Sequence, residues 1–383
     1  MRIVYLYTAL TTLGGVDRVL SVKANYLADV MGHDVWIVTD SQAGRPPVFP
    51  LSEKVHHIDL ETDFDEQYHH GLLRRFWIYR RLMRQYRHRL ERLLMELHAD
   101  VVCTTLGREM DFLMEIHDGS RKVGESHIAK PFCRNFHLME ARGFPYSWVA
   151  RYWRRKQERA VAQLDALVVL TQRDADSWAS VREATVIHNP CTIMPVALRT
   201  PVTDSRVVIA VGRLSEQKAF HRLIEAWREV HRRHPEWQLH IWGEGELQAA
   251  LQQQIDGAGL TDNCRLCGTT SAITNEYAQA AIYAMTSRFE GFPLVLIEAM
   301  SSGLPVVAMD CPTGCREIIT SPEVGLLVSD DDISAMTQAL CTLIENPTQR
   351  LALAQAGQQY AQQHFSLSAV MNQWISLFEK LKS

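Results

Sequence analysis

Short apolar segments alternate with longer segments of helical periodicity along the first half of the chain. The apolar runs predict strands at residues 3–7, 34–38, 54–58, 100–103, 122–125, 166–170 and 185–188. Helical patterns follow the first run as far as residue 30 and fill residues 72–97. Short strands separated by helices are typical of a parallel sheet covered on both faces. The first half is therefore predicted to form one such sheet.

The alternation stops near residue 194 and restarts near residue 206. Residues 194–205 show little periodicity and are interpreted as a linker. Further strands are predicted at 207–211, 238–242, 264–267, 281–284, 305–308 and 325–328, and helices at 221–233, 246–257, 333–344, 348–364 and from about 368. The pattern predicts an α/β fold of two doubly wound, Rossmann-like domains that face one another across a cleft, with ligands at the carboxyl ends of the strands. The predicted domains are residues 1–195 and 206–365, with a terminal helix over about 368–383 that packs back on the first.

Size and composition agree with two soluble domains. The chain has 383 residues, 46% hydrophobic and 22% charged, and a net charge of −4, which indicates no general affinity for polyanions. Its eight cysteines form no disulfide framework, and no stretch of about 18 apolar residues predicts a membrane span. We expect a cytoplasmic protein.

Two carboxylates lie eight positions apart around a Gly-Phe-Pro turn. Glu290 and Gly291 have the character of a loop, and Pro293 suits the first turn of a helix that carries Glu298. This arrangement places a carboxylate and backbone N–H groups in one space at a helix N-terminus, where anions and hydroxyl-rich ligands are well held. A carboxylate can accept two hydrogen bonds from neighbouring sugar hydroxyls.

Two basic residues follow the strand that is predicted to end at residue 211. Arg213 offers a planar fork to phosphate oxygens, and Lys218 offers a mobile point charge. Together they would stabilise the negative charge of a leaving nucleoside diphosphate without a metal.

These motifs resemble those of one enzyme family. The chain resembles glycosyltransferase family 4, a group of retaining enzymes of the GT-B type that use sugar nucleotides without a metal. The matching segments are Gly14-Gly15, residues 188–190 (HNP), 212–218 (GRLSEQK), 241–245 (IWGEG), 287–299 (SRFEGFPLVLIEA), 303–307 (GLPVV) and 313–317 (TGCRE). The C-terminal block is highly specific, whereas the N-terminal half is only loosely diagnostic.

The resemblance implies a role for each matching position. Glu298 would hydrogen-bond the donor ribose, Glu290 would hold the donor sugar, and Arg213 and Lys218 would neutralise the diphosphate. Backbone groups would complete the donor site, at Gly14, Gly15, Gly243, Gly245, Gly291, Phe292, Pro293 and Leu294. The resemblance implies no cofactor other than the nucleotide sugar, which is a co-substrate.

His127 follows a predicted strand and matches the family's active-site histidine, which abuts the donor sugar. Its neighbours depart from the family pattern, so Glu125 or Ser126 remains an alternative participant. The implied reaction needs no protein nucleophile, because the leaving phosphate can accept the acceptor's proton while the protein positions both substrates. Double displacement through Glu290 is the other mechanism left open.

Metal-binding patterns are weak, and no metal is expected. Asp-x-Asp occurs at residues 63–65, 174–176 and 330–332, of which the second and third are interpreted as helix starts. Cys264 and Cys267 fall on a predicted strand, where positions i and i+3 point to opposite faces, which disfavours zinc.

Two basic segments with interleaved aromatic residues lie in the first half, at residues 74–89 and 146–156. Basic and aromatic residues on an amphipathic helix suit an anionic membrane surface. The alternative is a solvated helix face whose aromatic residues belong to the core. No nucleic-acid module accompanies these segments, so no nucleic-acid partner is expected.

The combined hypothesis is a retaining hexosyltransferase. It would transfer a hexosyl or N-acetylhexosaminyl unit, from a UDP-sugar in preference to GDP-mannose, to a saccharide or lipid-linked acceptor in surface polysaccharide synthesis. The assignment to surface polysaccharide synthesis rests on analogy with the family. The alternatives are a sugar-nucleotide epimerase of similar architecture and a non-catalytic saccharide-binding subunit.

Overall fold

Thirteen strands form two all-parallel sheets within residues 1–193, 204–312 and 314–382, the parts of the chain that the computed structural model describes. The chain folds as two units, one of Met1–His188 with Val370–Ser383 and the other of Asn189–Ala369. The prediction of an α/β protein with two parallel sheets is therefore confirmed. The predicted linker lies mostly outside the described residues, so the predicted domain bounds stay a prediction.

The first unit contains a seven-stranded sheet with helices packed against it. Its strands are β1 (Arg2–Tyr7), β2 (Asp34–Thr39), β3 (Val55–Asp59), β4 (Val101–Thr104), β5 (Arg121–Ser126), β6 (Ala166–Val169) and β7 (Thr185–Val186), in the order β3-β2-β1-β4-β5-β6-β7. Its helices are α1 (Gly15–Asp29), α2 (Leu72–Leu97), α3 (Phe136–Glu140), α4 (Tyr146–Ala162) and α5 (Gln172–Trp178).

The second unit contains a six-stranded sheet in the order β10-β9-β8-β11-β12-β13. These strands are β8 (Val207–Val211), β9 (Gln238–Trp242), β10 (Cys264–Gly268), β11 (Ile282–Met285), β12 (Val306–Met309) and β13 (Leu326–Val328). Its helices are α6 (Phe220–Arg233), α7 (Gln248–Gly257), α8 (Ile273–Gln279), α9 (Leu294–Ser301), α10 (Cys315–Ile318), α11 (Ile333–Glu345) and α12 (Pro347–Phe365). The order reverses at β8, between β9 and β11, and such a switch point leaves a crevice at the carboxyl ends of the strands.

The last helix, α13 (Leu367–Lys382), contributes its final turns to the first unit. Val370, Trp374 and Phe378 follow each other at intervals of four and are buried, as one face of a helix requires. The Lys382 ammonium lies 2.9 Å from an Asp100 carboxylate oxygen beside β4. The sequence pattern placed this helix near residue 368, and it begins at Leu367.

No helix in the described parts of the chain is long and apolar enough to cross a membrane.

Candidate active site

Two loops of the second unit are joined at the carboxyl ends of β8 and β11. The Lys218 ammonium donates to Glu290 Oε1 at 2.7 Å, and the two side chains are 17% and 8% exposed. The loop backbones are also linked, because Arg288 N donates to the Gln217 carbonyl at 2.8 Å. Residues 72 positions apart therefore form one mostly buried ion pair.

The segment after Glu290 leads into the start of α9. Gly291, Phe292 and Pro293 form the approach, and the helix begins at Leu294, so Pro293 precedes the first turn that it was predicted to occupy. Its ψ of 90° is extended, which keeps it outside the helix. No side chain among the described residues caps this helix, which leaves its first N–H groups to the backbone or to a ligand.

Gly314 makes room for this approach. It has a φ of +89°, and a Cβ there would lie 2.6 Å from Pro293 Cδ and 3.2 Å from the Gly291 carbonyl oxygen. Any larger residue would push against the turn between Glu290 and α9. Thr313, quoted in the same sequence motif, lies outside the described residues.

Glu298 lies in α9 inside a hydrogen-bond network. Its Oε1 accepts from Thr192 Oγ1 at 3.0 Å, and its Oε2 faces the Tyr277 hydroxyl at 3.4 Å. The carboxylate is therefore oriented by two hydroxyl groups while the residue is only 3% exposed. Sequence reasoning missed Thr192 and Tyr277, since neither belongs to a recognisable motif.

The two glycines after β9 are required by a close approach of two loops. A Cβ at Gly243, whose φ is +141°, would lie 1.9 Å from the Gly212 carbonyl oxygen, and one at Gly245 would lie 2.3 Å from the Leu214 carbonyl oxygen. Leu214 N also donates to the Glu244 carbonyl at 2.9 Å. These glycines thus fix the loop that carries Arg213; their predicted place beside the base stays a prediction.

Arg213 extends from this loop towards solvent. Its side chain is 74% exposed, and its guanidinium lies 3.3 Å from Glu246 Oε2. An exposed pair of this kind contributes little to stability, so the guanidinium can exchange partners at low cost.

The remaining predicted site residues belong to the first unit. Gly14 is the N-cap of α1 and Gly15 its first residue, directly after the loop that follows β1. His127 follows β5, and its Nε2 lies 3.3 Å from Glu125 Oε1. Both segments lie at the carboxyl edge of the same sheet, where only β4 separates β1 from β5.

Glu125 is a buried carboxylate between two basic groups. Burial by itself raises its pKa, but Lys23 and His127 outweigh that effect and lower the pKa of Glu125 to about 2. Lys23 was not singled out in the sequence, because it lies within the helical pattern of α1 without a motif.

No cluster of three or more metal-ligating side chains occurs among the residues that the structure describes. Asp332 caps α11 by accepting from Ala335 N at 2.8 Å, as predicted. Asp174 lies in the first turn of α5, as predicted, but Thr171 is the residue that caps this helix, and Asp174 accepts from Lys130 N at 2.8 Å.

Comparisons with known proteins agree with this architecture. A mutant of S. aureus TarM, crystallised with fondaparinux, α-GlcNAc-glycerol and UDP, matches with a TM-score of 0.79 at 15% identity, over 98% of this chain and 99% of that one. The chain therefore has the GT-B fold.

Residues 199–360 match the family model of glycosyl transferases group 1. An uncharacterised glycosyltransferase of Haemophilus influenzae is 25% identical over 366 residues, which are 94% of this chain and 95% of that protein. The amylovoran biosynthesis glycosyltransferase AmsD of Erwinia amylovora is 36% identical over 203 residues, 51% of this chain and 57% of that protein. These findings support the GT-B glycosyltransferase superfamily and indicate a transferase, and they do not favour the epimerase or the non-catalytic subunit.

Proposed function

We propose that this protein is a retaining glycosyltransferase. It transfers a hexosyl or N-acetylhexosaminyl unit from a nucleotide sugar to a saccharide or lipid-linked acceptor in surface polysaccharide synthesis. A UDP-sugar is the favoured donor and GDP-mannose the second candidate.

The observation that carries the proposal is the Lys218–Glu290 pair beside the start of α9. A cation, a carboxylate and the N–H groups of a helix start lie within one pair of joined loops. Phosphate oxygens suit the cation and the N–H groups, and sugar hydroxyls suit the carboxylate. Few ligands other than a sugar joined to a phosphate would use all three.

The other residues of the second unit have matching roles. Glu298, oriented by Thr192 and Tyr277, accepts hydrogen bonds from the ribose hydroxyls. Arg213 leaves Glu246 and binds the diphosphate. UDP in the TarM complex supports a uridine nucleotide, and the amylovoran enzyme supports a polysaccharide pathway.

The reaction proceeds without a metal or a further cofactor. Lys218 and Arg213 stabilise the charge that develops on the leaving diphosphate, and a phosphate oxygen of that group accepts the proton of the attacking hydroxyl. Attack on the face from which the diphosphate leaves retains the anomeric configuration. The protein supplies orientation and charge rather than a nucleophile.

We also propose that α4 lies on an anionic membrane surface. Trp148 and Tyr152 are 64% and 57% exposed on this helix, so they are not core residues. They share its outer face with Arg151 and Arg155, and Phe144 is exposed just before the helix. Aromatic rings among basic side chains suit the boundary between head groups and acyl chains.

The arginines of α2 are less suited to this role. Arg81 pairs with Glu66 at 2.7 Å, Arg87 pairs with Glu115, and Arg89 donates to the carbonyl of Glu61. Three arginines of the basic segment at residues 74–89 thus already have partners within the first unit, and we favour α4 as the membrane surface.

A donor screen tests the proposal. Binding of the correct nucleotide sugar to the folded protein raises its melting temperature, and the best ligand is then assayed with lipid-linked acceptors, with and without EDTA. Glu298→Ala should lose the shift, whereas Glu225→Ala, at an exposed position of α6, should keep it. The proposal fails if no nucleotide sugar produces a shift or a transfer product, and metal independence fails if EDTA stops transfer.

A further inference from the structure

Two opposite charges are buried together in the first unit. Lys23 on α1 and Glu125 on β5 are each 1% exposed. The Lys23 ammonium lies 2.5 Å from Glu125 Oε1 and 3.7 Å from the centroid of the Trp374 ring on α13. Buried ion pairs can often be replaced by apolar residues without loss of stability, so stability alone is a weak reason for this pair.

The same carboxylate oxygen also reaches His127. His127 Nε2 lies 3.3 Å from Glu125 Oε1, and the histidine side chain is 6% exposed. Within the described residues, His127 Nδ1 has no hydrogen-bond partner. When Nε2–H donates to Glu125, Nδ1 of the neutral ring keeps the lone pair that accepts a hydrogen bond from a hydroxyl. The contact of His127 Nε2 with Glu125 thus sets the orientation of the ring, and with it the direction in which the Nδ1 lone pair points.

We propose that Glu125 is a positioning residue for His127, and that Lys23, covered by the Trp374 ring, holds Glu125 in place. The kinetic consequence rests on the proposed transferase function. His127 Nδ1 then accepts a hydrogen bond from a substrate hydroxyl, and the Glu125 contact sets the ring's orientation. Misplacement of a positioning group by about 1 Å can lower a rate about 100-fold.

Two double variants separate positioning from folding. The first double variant, Lys23→Met with Glu125→Leu, is called the leucine pair and removes both charges and the acceptor for Nε2–H. The second, Lys23→Met with Glu125→Gln, is called the glutamine pair and removes both charges but keeps an acceptor oxygen. Neither leaves an unpaired buried charge, so both are expected to fold, which circular dichroism checks.

The leucine pair is expected to lower kcat about tenfold or more with a smaller change in the donor KM, and the glutamine pair to stay within about threefold of the natural protein. The leucine pair is then combined with His127→Ala, where it should cause no further loss of kcat. The proposal is overturned if the leucine pair has full activity. It is also overturned if the leucine pair lowers kcat by the same factor in the natural protein and in the His127→Ala variant.

A spectroscopic readout separates this inference from the proposed function. If the natural protein transfers sugar from none of the nucleotide sugars tested, the proposed function fails but the tautomer of His127 can still be observed by NMR of nitrogen-labelled histidine. The natural protein and the glutamine pair should show the Nε2–H form, and the leucine pair a shift towards Nδ1–H. An unchanged tautomer in the leucine pair overturns the inference whatever the function.

Discussion

Removal of the Lys23 ammonium leaves a carboxylate buried without its cation. Against the effect of burial, Lys23 and His127 together lower the pKa of Glu125 from 4.5 to about 2, which corresponds to about 3 kcal/mol in favour of the ionised form. Loss of one partner of a buried pair typically costs about 3–5 kcal/mol. Lys23→Met is therefore expected to lower the melting temperature of a domain of this size by about 10 °C. Lys23→Met with Glu125→Leu should recover most of this loss, because no unpaired charge remains.

Thermal melts followed by circular dichroism measure the melting temperatures, and urea denaturation measures the free energies of unfolding. Lys54→Met is the matched control, since Lys54 forms an exposed pair with Asp29 at 3.7 Å and should change the free energy of unfolding by less than about 0.5 kcal/mol. Because the folded-state pKa of Glu125 is lowered, its stabilisation is present above pH 4.5 and is lost as the pH falls towards about 2. The reasoning is refuted if Lys23→Met unfolds at the same urea concentration as Lys54→Met, or if the double variant is less stable than Lys23→Met.

Three further predictions concern the second unit and α4. Glu298→Gln should weaken donor binding by about 10-fold or more, because hydrogen bonds to a charged acceptor are lost. Calorimetry of nucleotide binding measures the Kd, and an unchanged Kd contradicts the assignment of Glu298 to the ribose. Gly243→Ala should lower the free energy of unfolding by about 1–3 kcal/mol in denaturant melts, because the new Cβ would meet the Gly212 carbonyl. Gly257→Ala is the control and should be neutral or stabilising, because the space around Gly257 is open. Trp148→Ala should reduce flotation with anionic liposomes while leaving the melting temperature unchanged, and equal flotation would count against the membrane surface.

The order of elements could be predicted from the sequence, because apolar runs and helical periodicity report which residues face a core. The pattern predicted a helix over residues 72–97, and α2 has those bounds. Periodicity does not show which side chains contact each other in the fold. Lys23 fits the buried stripe of α1 as an apolar residue would, and only the fold brings Glu125 and Trp374 to it.

The candidate site shows the same limit. Glu290, Glu298 and Lys218 could be proposed from motifs, but the motifs did not show that Lys218 and Glu290 contact each other, as they do in the structure. Tyr277 and Thr192 had no local pattern, because their role depends on the position of Glu298 in three dimensions. The sequence of the two basic helices also did not show that Arg81 and Arg87 of α2 pair with carboxylates of the first unit.

The Lys218–Glu290 pair bears on how the proposed reaction retains configuration. A carboxylate that accepts a hydrogen bond from an ammonium at 2.7 Å has part of its charge stabilised, which makes it a weaker nucleophile. Lys218 keeps two further N–H donors that can face a diphosphate while the contact with Glu290 persists. The pair therefore suits a role in which Glu290 orients the sugar and Lys218 stabilises the leaving group. Double displacement would instead require attack by a carboxylate that a cation already holds, and it would leave a sugar covalently bound to Glu290 that mass spectrometry of the protein with donor alone would detect.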